Sequence, residues 1–329
     1  IGSPRSGSTL LQRMLDSHSH IYSRPEPHII TPLAHLGYFA TVDKAPYDHL
    51  RGVDAIREYV EDLPHREADY LDACRAYTDV LYGRMFEDAG RKMNARFFLD
   101  KTPAYALVLD FLAKLYPRAK YVVLTRHPAA IFCSYANSFF DGDFVSANQF
   151  NPILNRYVPA MARFIENKPV PMVHVIYEDM VRDPEAHMQR ICEYLGVPYE
   201  KEAIEYGKHD HIEKGLGDPT GIKKHSRPST SSVHKWAGEL AADPEKYRFV
   251  KSITDSLDAH DLEIWGYDKN TLYEVLETGE FGEWKPPKQK KNKHYYERKL
   301  LLLMRRNIHR NAFGRLVKKI RFTCDVLLR

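Results

Sequence analysis

Residues 2–9, "GSPRSGST", constrain this chain more than any other stretch. Gly2 and Gly7 carry the spacing of a loop that wraps backbone N–H groups around phosphate, and Thr9 stands where such loops end in Ser or Thr. The lysine of that pattern is absent, and Ser8 occupies its place. That lysine reaches the β- and γ-phosphates of a triphosphate, so this loop is suited to a phosphate of another kind. Arg5, inside the loop, offers a planar fork of donors. "STLLQRMLDSHS" then sets Leu10, Leu11, Met14 and Leu15 at helical spacing, with Ser8 and Thr9 as capping residues. A loop at a helix N-terminus favours an anion through the helix dipole and the free N–H groups.

Such a loop implies a strand before it and alternating strands and helices after it. "ARFFLD" reads as a strand running into "KTP", "ALVLDFLAKLY" as a helix, and "AKYVVLTR" as a strand buried on both faces. "PAAIFCSYANSFF" is a helix with Pro128 in its first turn. Charge-rich helices are expected near 52–62 and 67–91, and a long one near 150–167. "PMVHVIYED" reads as a strand, and "DPEAHMQRICEYLGV" as a helix capped by Asp183 and closed by Gly196. The expectation is an α/β fold, a three-layer, mostly parallel sheet flanked by helices. Ligands then bind at the carboxyl ends of the strands, where the loop, Lys101 and Arg126 fall.

Charge divides the chain. The 329 residues carry a net +4. Residues 285–329 hold 15 Lys/Arg against 2 Asp/Glu, a net of +13, which leaves −9 for the rest. The tail has Leu300, Leu303, Met304, Ile308, Phe313, Leu316, Val317 and Ile320 at helical spacing with basic residues between. A basic amphipathic helix fits an anionic membrane surface, an acidic partner, or a covering of the body's own acidic surface. No recognition motif accompanies the charge, so nucleic acid is not expected. The division expected is a domain at 1–270, then a linker and basic helix at 271–329.

Four scattered cysteines, Cys74, Cys133, Cys192 and Cys324, have no C-x-x-C spacing. They read as reduced thiols, Cys133 and Cys192 in the core, in a cytoplasmic protein peripheral to a membrane if the tail binds one. The first residue is Ile1, so the chain reads as a fragment, with an N-terminal signal or anchor left open. His18 and His20, and His209 and His211, lack zinc spacing and read as surface residues, so no metal is expected. Tyr135, Tyr157 and Trp236 read as packing residues.

"PRSGSTLL" together with "LTRHPAAIFCSY" resembles the two phosphate signatures of sulfotransferases that use 3′-phosphoadenosine 5′-phosphosulfate (PAPS). "VIYEDMVRDPEAHMQRICEYLGV" resembles a later strand–helix unit of that family, and "SSVHKW" its cofactor-covering segment. The resemblance covers about residues 1–268. It implies that Arg5 holds the phosphosulfate bridge and that Ser6, Gly7, Ser8 and Thr9 bind the 5′-phosphate. It implies the 3′-phosphate for Arg126 and Ser134, with Lys223, Ser226 and Arg227 folding over it. Lys101 stands where the family places a lysine near the sulfuryl group. The small-molecule branch carries a histidine two residues after that lysine. Pro103 stands there in this chain, which leans towards the carbohydrate and protein-tyrosine branches. Those branches place a glutamate after the first helix, which makes Glu26 the expected general base and His28 the runner-up. The implied activity is PAPS-dependent transfer to a hydroxyl acceptor, whether carbohydrate, lipid, peptide or small molecule. The alternatives are a nucleotide-dependent kinase on a P-loop scaffold and an inactive PAPS-fold binding module.

Overall fold

The computed structural model describes residues 1–26, 30, 33, 56–88, 95–209, 226–279, 281–282, 296, 312, 316, 319–320 and 323. Ile1 and Gly2 lie along one edge of β3 (Tyr121–Thr125): the Leu124 N–H donates to the Ile1 carbonyl at 2.8 Å, and Gly2 bridges Leu124 in parallel. The loop follows, then α1 (Ser8–Asp16) and β1 (Ile21–Pro25). β1 pairs in parallel with β2 (Phe97–Lys101), Ile21 opposite Phe97 and Pro25 opposite Lys101. β3 pairs in parallel with β4 (Met172–Ile176). The charges of Asp100 and Lys101 reach the Ile1 amino group, which sets the end of β2 beside the start of the loop.

Helices cover both faces, as the continuous apolar runs of β3 require. Tyr121 and Val123 face a core shared with α3 (Leu109–Leu115), α4 (Pro128–Phe139), α6 (Ile153–Asn167) and α11 (Ala259–Trp265). Leu124 and Val175 face a second core with α1 and α8 (Pro184–Leu195). The period-2 alternation of side chains thus separates two cores across one sheet. The fold class is α/β with parallel strands, as the sequence implies.

Several boundaries differ from the sequence reading. α2 is Glu67–Asp88. "ALVLDFLAKLY" is not one helix: a 3₁₀ turn at Pro103–Leu107 precedes α3, because Val108 takes a non-helical conformation. A helix α5 (Phe144–Phe150), capped by Asp143, precedes α6. The strand expected over "PMVHVIYED" stops at Ile176, and Tyr177–Arg182 is helix α7. β1 was not read from sequence, since five residues ending in proline give a weak strand signal. α1 takes its N-cap from left-handed Gly7, and neither Ser8 nor Thr9 caps it. Asp183 and Gly196 do cap α8 as expected.

Packing continues past residue 270. After α9 (Lys235–Ala242) and α10 (Pro244–Asp255), Leu272 is buried in the first core, and α12 (Glu274–Thr278) and Phe281 lie against it. The expected basic helix lies almost wholly outside the described residues; those described in it, from Tyr296 to Thr323, are helical and exposed.

Candidate active site

The loop is built from two left-handed residues. Arg5 has φ 67° and Gly7 φ 92°. Gly7 has a second reason to be glycine: a Cβ there would lie 2.3 Å from the Tyr177 ring. The Ser6 N–H donates to the Ser3 carbonyl at 3.2 Å and closes the turn. Ser3 and Ser6 are 1% and 0% exposed, and their hydroxyls have no hydrogen-bond partner among the described residues. Buried hydroxyls without a partner cost about 1–3 kcal/mol each, so such pairs mark a place where a ligand supplies the missing bonds. With the α1 N-terminus beside them, the place suits an oxyanion.

The second anion motif meets the first in space. Arg5 Nε donates to Ser134 Oγ at 3.1 Å, and Arg126 Nη1 donates to the Arg5 carbonyl at 3.1 Å. Arg126, at the end of β3, is 8% exposed and lies 4.3 Å over the Tyr177 ring. Its Nη2 donates to the Ser232 carbonyl at 3.2 Å, and the Tyr177 hydroxyl is 2.8 Å from Ser232 Oγ. Its own carbonyl accepts from Trp265 Nε1 at 2.8 Å.

Glu178, 7% exposed, sits beneath this arginine with Oε1 4.0 Å from Arg126 Nε. Glu178 also accepts from the His127 N–H at 3.3 Å and from the Tyr267 hydroxyl. The His127 ring stacks on Trp236 with centroids 4.2 Å apart, and its Nε2 donates to the Leu272 carbonyl at 2.9 Å. Burial pushes the His127 imidazole down to about 3, so it packs as a neutral ring.

At the end of the other strand pair, Pro25 is the register partner of Lys101, so the next residue, Glu26, arrives beside the lysine. Lys101 Nζ donates to Glu26 Oε1 at 2.5 Å, the side chains 8% and 15% exposed. Glu26 has φ 34°. The Asp100 carboxylate accepts from Tyr82, Tyr105 and Thr102, and the Tyr105 hydroxyl also accepts from the Ile30 N–H at 3.1 Å. This fastens the chain beyond Glu26 to the end of β2.

Of the residues expected at the site, Arg5, Ser6, Gly7, Arg126 and Ser134 come together, and Lys101 joins Glu26. Ser8 is buried at the helix start, with Thr9 half-buried after it. His28 and Lys223 lie outside the described residues. The Ser226 and Arg227 side chains are exposed, and their carbonyls accept from the Gly207 N–H and the Tyr206 hydroxyl. Ser232, further along the same segment, is what reaches Arg126.

Sequence reasoning missed Ser3, Tyr177, Glu178 and Ser232. Ser3 lies inside the loop motif and was legible there; the other three have no spacing relative to Arg126 that marks them. His18, expected at the surface, is fully buried: its Nδ1 accepts from the His20 N–H and its Nε2 donates to the Pro198 carbonyl. Cys133 and Cys192 are buried free thiols, and Tyr135, Tyr157 and Trp236 are core residues, as expected. Among the described residues no three His, Cys, Asp or Glu side chains are grouped to hold a metal ion.

The site thus offers two linked oxyanion positions, a lysine, and a carboxylate that can take a proton. The family model described as "Sulfotransferase family" matches residues 1–201. The chain is 28% identical over 298 residues to nodulation protein NoeE of Sinorhizobium fredii (strain NBRC 101917 / NGR234), covering 82% of this chain and 65% of that protein. It is 24% identical to protein-tyrosine sulfotransferase A of Caenorhabditis elegans, covering 82% of this chain and 66% of that one. The chain therefore spans just under two thirds of the length of these relatives. Among solved structures it is similar to the sulfotransferase domain from the Synechococcus PCC 7002 olefin synthase. There the TM-score is 0.49 at 26% identity, covering 78% of this chain and 94% of that one.

Proposed function

The chain belongs to the sulfotransferase family, and from that premise we propose that it moves the sulfuryl group of PAPS to a hydroxyl acceptor. The S–O bond to the donor's 5′-phosphate breaks, a new S–O bond forms to the acceptor oxygen, and the acceptor's proton leaves. The products are a sulfate ester and 3′-phosphoadenosine 5′-phosphate (PAP).

One observation carries this reading. Two anion motifs about 120 residues apart in sequence are joined by the Arg5–Ser134 and Arg126–Arg5 hydrogen bonds, and the same loop holds the buried hydroxyls of Ser3 and Ser6, unpartnered among the described residues. A donor with phosphates at both its 5′ and 3′ positions needs two such sites. Arg5, Ser6, Gly7, Ser8, Thr9 and the α1 N-terminus bind the 5′-phosphate. Arg126 and Ser134 bind the 3′-phosphate, with Lys223, Ser226 and Arg227 assigned to its cover. Arg5 and Lys101 stabilise charge that grows on the leaving oxygen, and Glu26 takes the proton, with His28 as the alternative base. No metal is assigned a role.

The acceptor's class is open among carbohydrate, lipid, peptide and small molecule; relatives named as protein-tyrosine sulfotransferases favour a peptide. No helix among the described residues is long and apolar enough to cross a membrane. The buried free thiols favour a cytoplasmic location. We assign residues 1–282, rather than 1–270, to the catalytic domain, since Leu272 and Phe281 pack on its core, and 285–329 to contact with an acidic partner or an anionic membrane surface.

Calorimetric titration with PAP, with ADP and ATP–Mg²⁺ as controls, tests the reading. PAP should bind more tightly than either nucleotide, and Arg126→Ala should weaken PAP about tenfold to a hundredfold, the worth of one or two hydrogen bonds to a charged group. ADP binding should change far less. A preference for ATP–Mg²⁺ would promote the kinase alternative. PAP binding without turnover on any hydroxyl acceptor would promote the inactive binding module.

A further inference from the structure

Arg126 is a full charge held at 8% exposure. A charge stays inside a protein only where hydrogen bonds and an opposite charge make up for the water it loses. The hydrogen bonds go to backbone: Nη1 donates to the Arg5 carbonyl and Nη2 to the Ser232 carbonyl, and the Tyr177 ring lies 4.3 Å from the guanidinium. None of these partners carries a charge. The opposite charge is Glu178, 7% exposed, with Oε1 4.0 Å from Arg126 Nε. That Nε is buried and has no hydrogen-bond partner among the described residues, so the two groups attract without bonding. The adjacent His127 ring is kept neutral by burial and does not alter this balance.

The place of Glu178 does not depend on Arg126. β4 ends at Ile176 and α7 begins at Tyr177, so the strand–helix junction sets its backbone. Its carboxylate accepts from the His127 N–H at 3.3 Å and from the Tyr267 hydroxyl. Burial and the Glu178 charge push the Tyr267 phenol up, which keeps it a donor. A glutamine of the same shape could accept from both donors, so position alone does not call for a charge here. The charge matters when an anion arrives. In the donor reading, on which this inference rests, Arg126 takes the 3′-phosphate. A phosphate drawn to Arg126 also feels the repulsion of Glu178, in an interior that screens poorly. The carboxylate thus stabilises the arginine and weakens the ligand at one place.

We propose that Glu178 is the resident counter-charge of Arg126. It keeps the donor site folded when no ligand is bound, and it sets the affinity for the 3′-phosphate below what the arginine alone would give. The 3′-phosphate is not part of the S–O bond that breaks, so contacts to it are shared by ground and transition states and extra affinity there does not speed the transfer. PAP keeps that phosphate, so extra affinity would slow its departure. Glu178 therefore exchanges donor affinity for stability and for release of product.

The test is Glu178→Gln in the whole chain, read by thermal melts and by calorimetric titration with PAP and with adenosine 5′-monophosphate (AMP), which lacks the 3′-phosphate. Without ligand the variant should melt at least about 3 °C below the parent, because a buried charge is left uncompensated. It should bind PAP at least about fivefold more tightly than the parent does, and AMP within about twofold. Adding Arg126→Met should recover part of the lost melting temperature, since neither charge is then left alone, and should remove the gain in PAP affinity. Should Glu178→Gln be unfolded by itself, about 1 mM PAP should fold it, and failure to do so overturns the proposal. PAP affinity that is unchanged or weaker also overturns it and makes Glu178 a positioning residue. So does a gain equal for PAP and AMP, or a double variant no more stable than Glu178→Gln. A parent that binds PAP no better than AMP sinks the donor reading and this proposal with it. A parent that prefers PAP, with no gain in the variant, sinks this proposal alone.

Discussion

Glu26 is held in an unusual backbone state by its neighbours. Its positive φ is rare for a residue with a side chain and costs of order 1–3 kcal/mol. Pro27 follows it and disfavours the right-handed helical conformation at Glu26. The charge-assisted bond from Lys101 then fixes where the carboxylate points. An oxygen held this way is preorganised to accept a proton, and the same lysine can stabilise charge on a leaving group. Glu26→Gln keeps the shape and removes the proposed base. The expected outcome is PAP affinity within about twofold of the parent and a kcat lower by about a hundredfold or more, read by calorimetry and a turnover assay. Turnover near the parent's would pass the base role to another group, His28 first. Gly7 shows the other kind of constraint: the left-handed loop asks for glycine, and the Tyr177 ring 2.3 Å from any Cβ forbids anything larger.

At the scale of elements, one strand–helix junction organises the candidate anion site. β3 ends on Thr125, so Arg126 and His127 form the turn into α4, and Ser134 follows two turns up that helix. α7 begins at Tyr177, immediately after β4, and delivers Tyr177 to the arginine's face and Glu178 beneath it. His127 locks the junction by stacking on Trp236 as a neutral ring. Its folded pKa, about 3, is below the ordinary 6.5, so between those values the unfolded chain binds the proton and the folded one does not. Its contribution is therefore intact above about pH 6.5 and lost as pH falls towards 3, by up to about 1.4 kcal/mol per pH unit. Urea unfolding from pH 6.5 to 4 should show a shallower decline in His127→Gln than in the parent. Equal slopes would mean that the ring takes up its proton in the folded state.

For the whole molecule, the basic segment is expected to be dispensable for the folding of the body. The first core is closed by Trp265, Leu272 and Phe281, all before the basic segment begins. A chain ended at residue 282 should keep its melting temperature within a few degrees and its PAP affinity within about twofold. Scanning calorimetry and titration check this, and loss of PAP affinity would place the segment at the donor site.

What the sequence determined by itself was local. The Gly2–Gly7 spacing, the helix behind it, the Arg126–Ser134 interval and the Asp183 and Gly196 caps are set by backbone geometry over a few residues, and all were legible. The apolar run of β3 also announced a strand covered on both faces. Only the tertiary structure decided that the Arg5 carbonyl meets Arg126, that Tyr177 fills the space above Gly7, and that Glu178 and Ser232 complete the arginine's surroundings. Those contacts join residues from 50 to more than 120 positions apart. They depend on how crossovers and helices pack against the sheet, which no sequence interval records. The same reason hid the burial of His18: a pattern shows which residues share a face, and packing decides which face is covered.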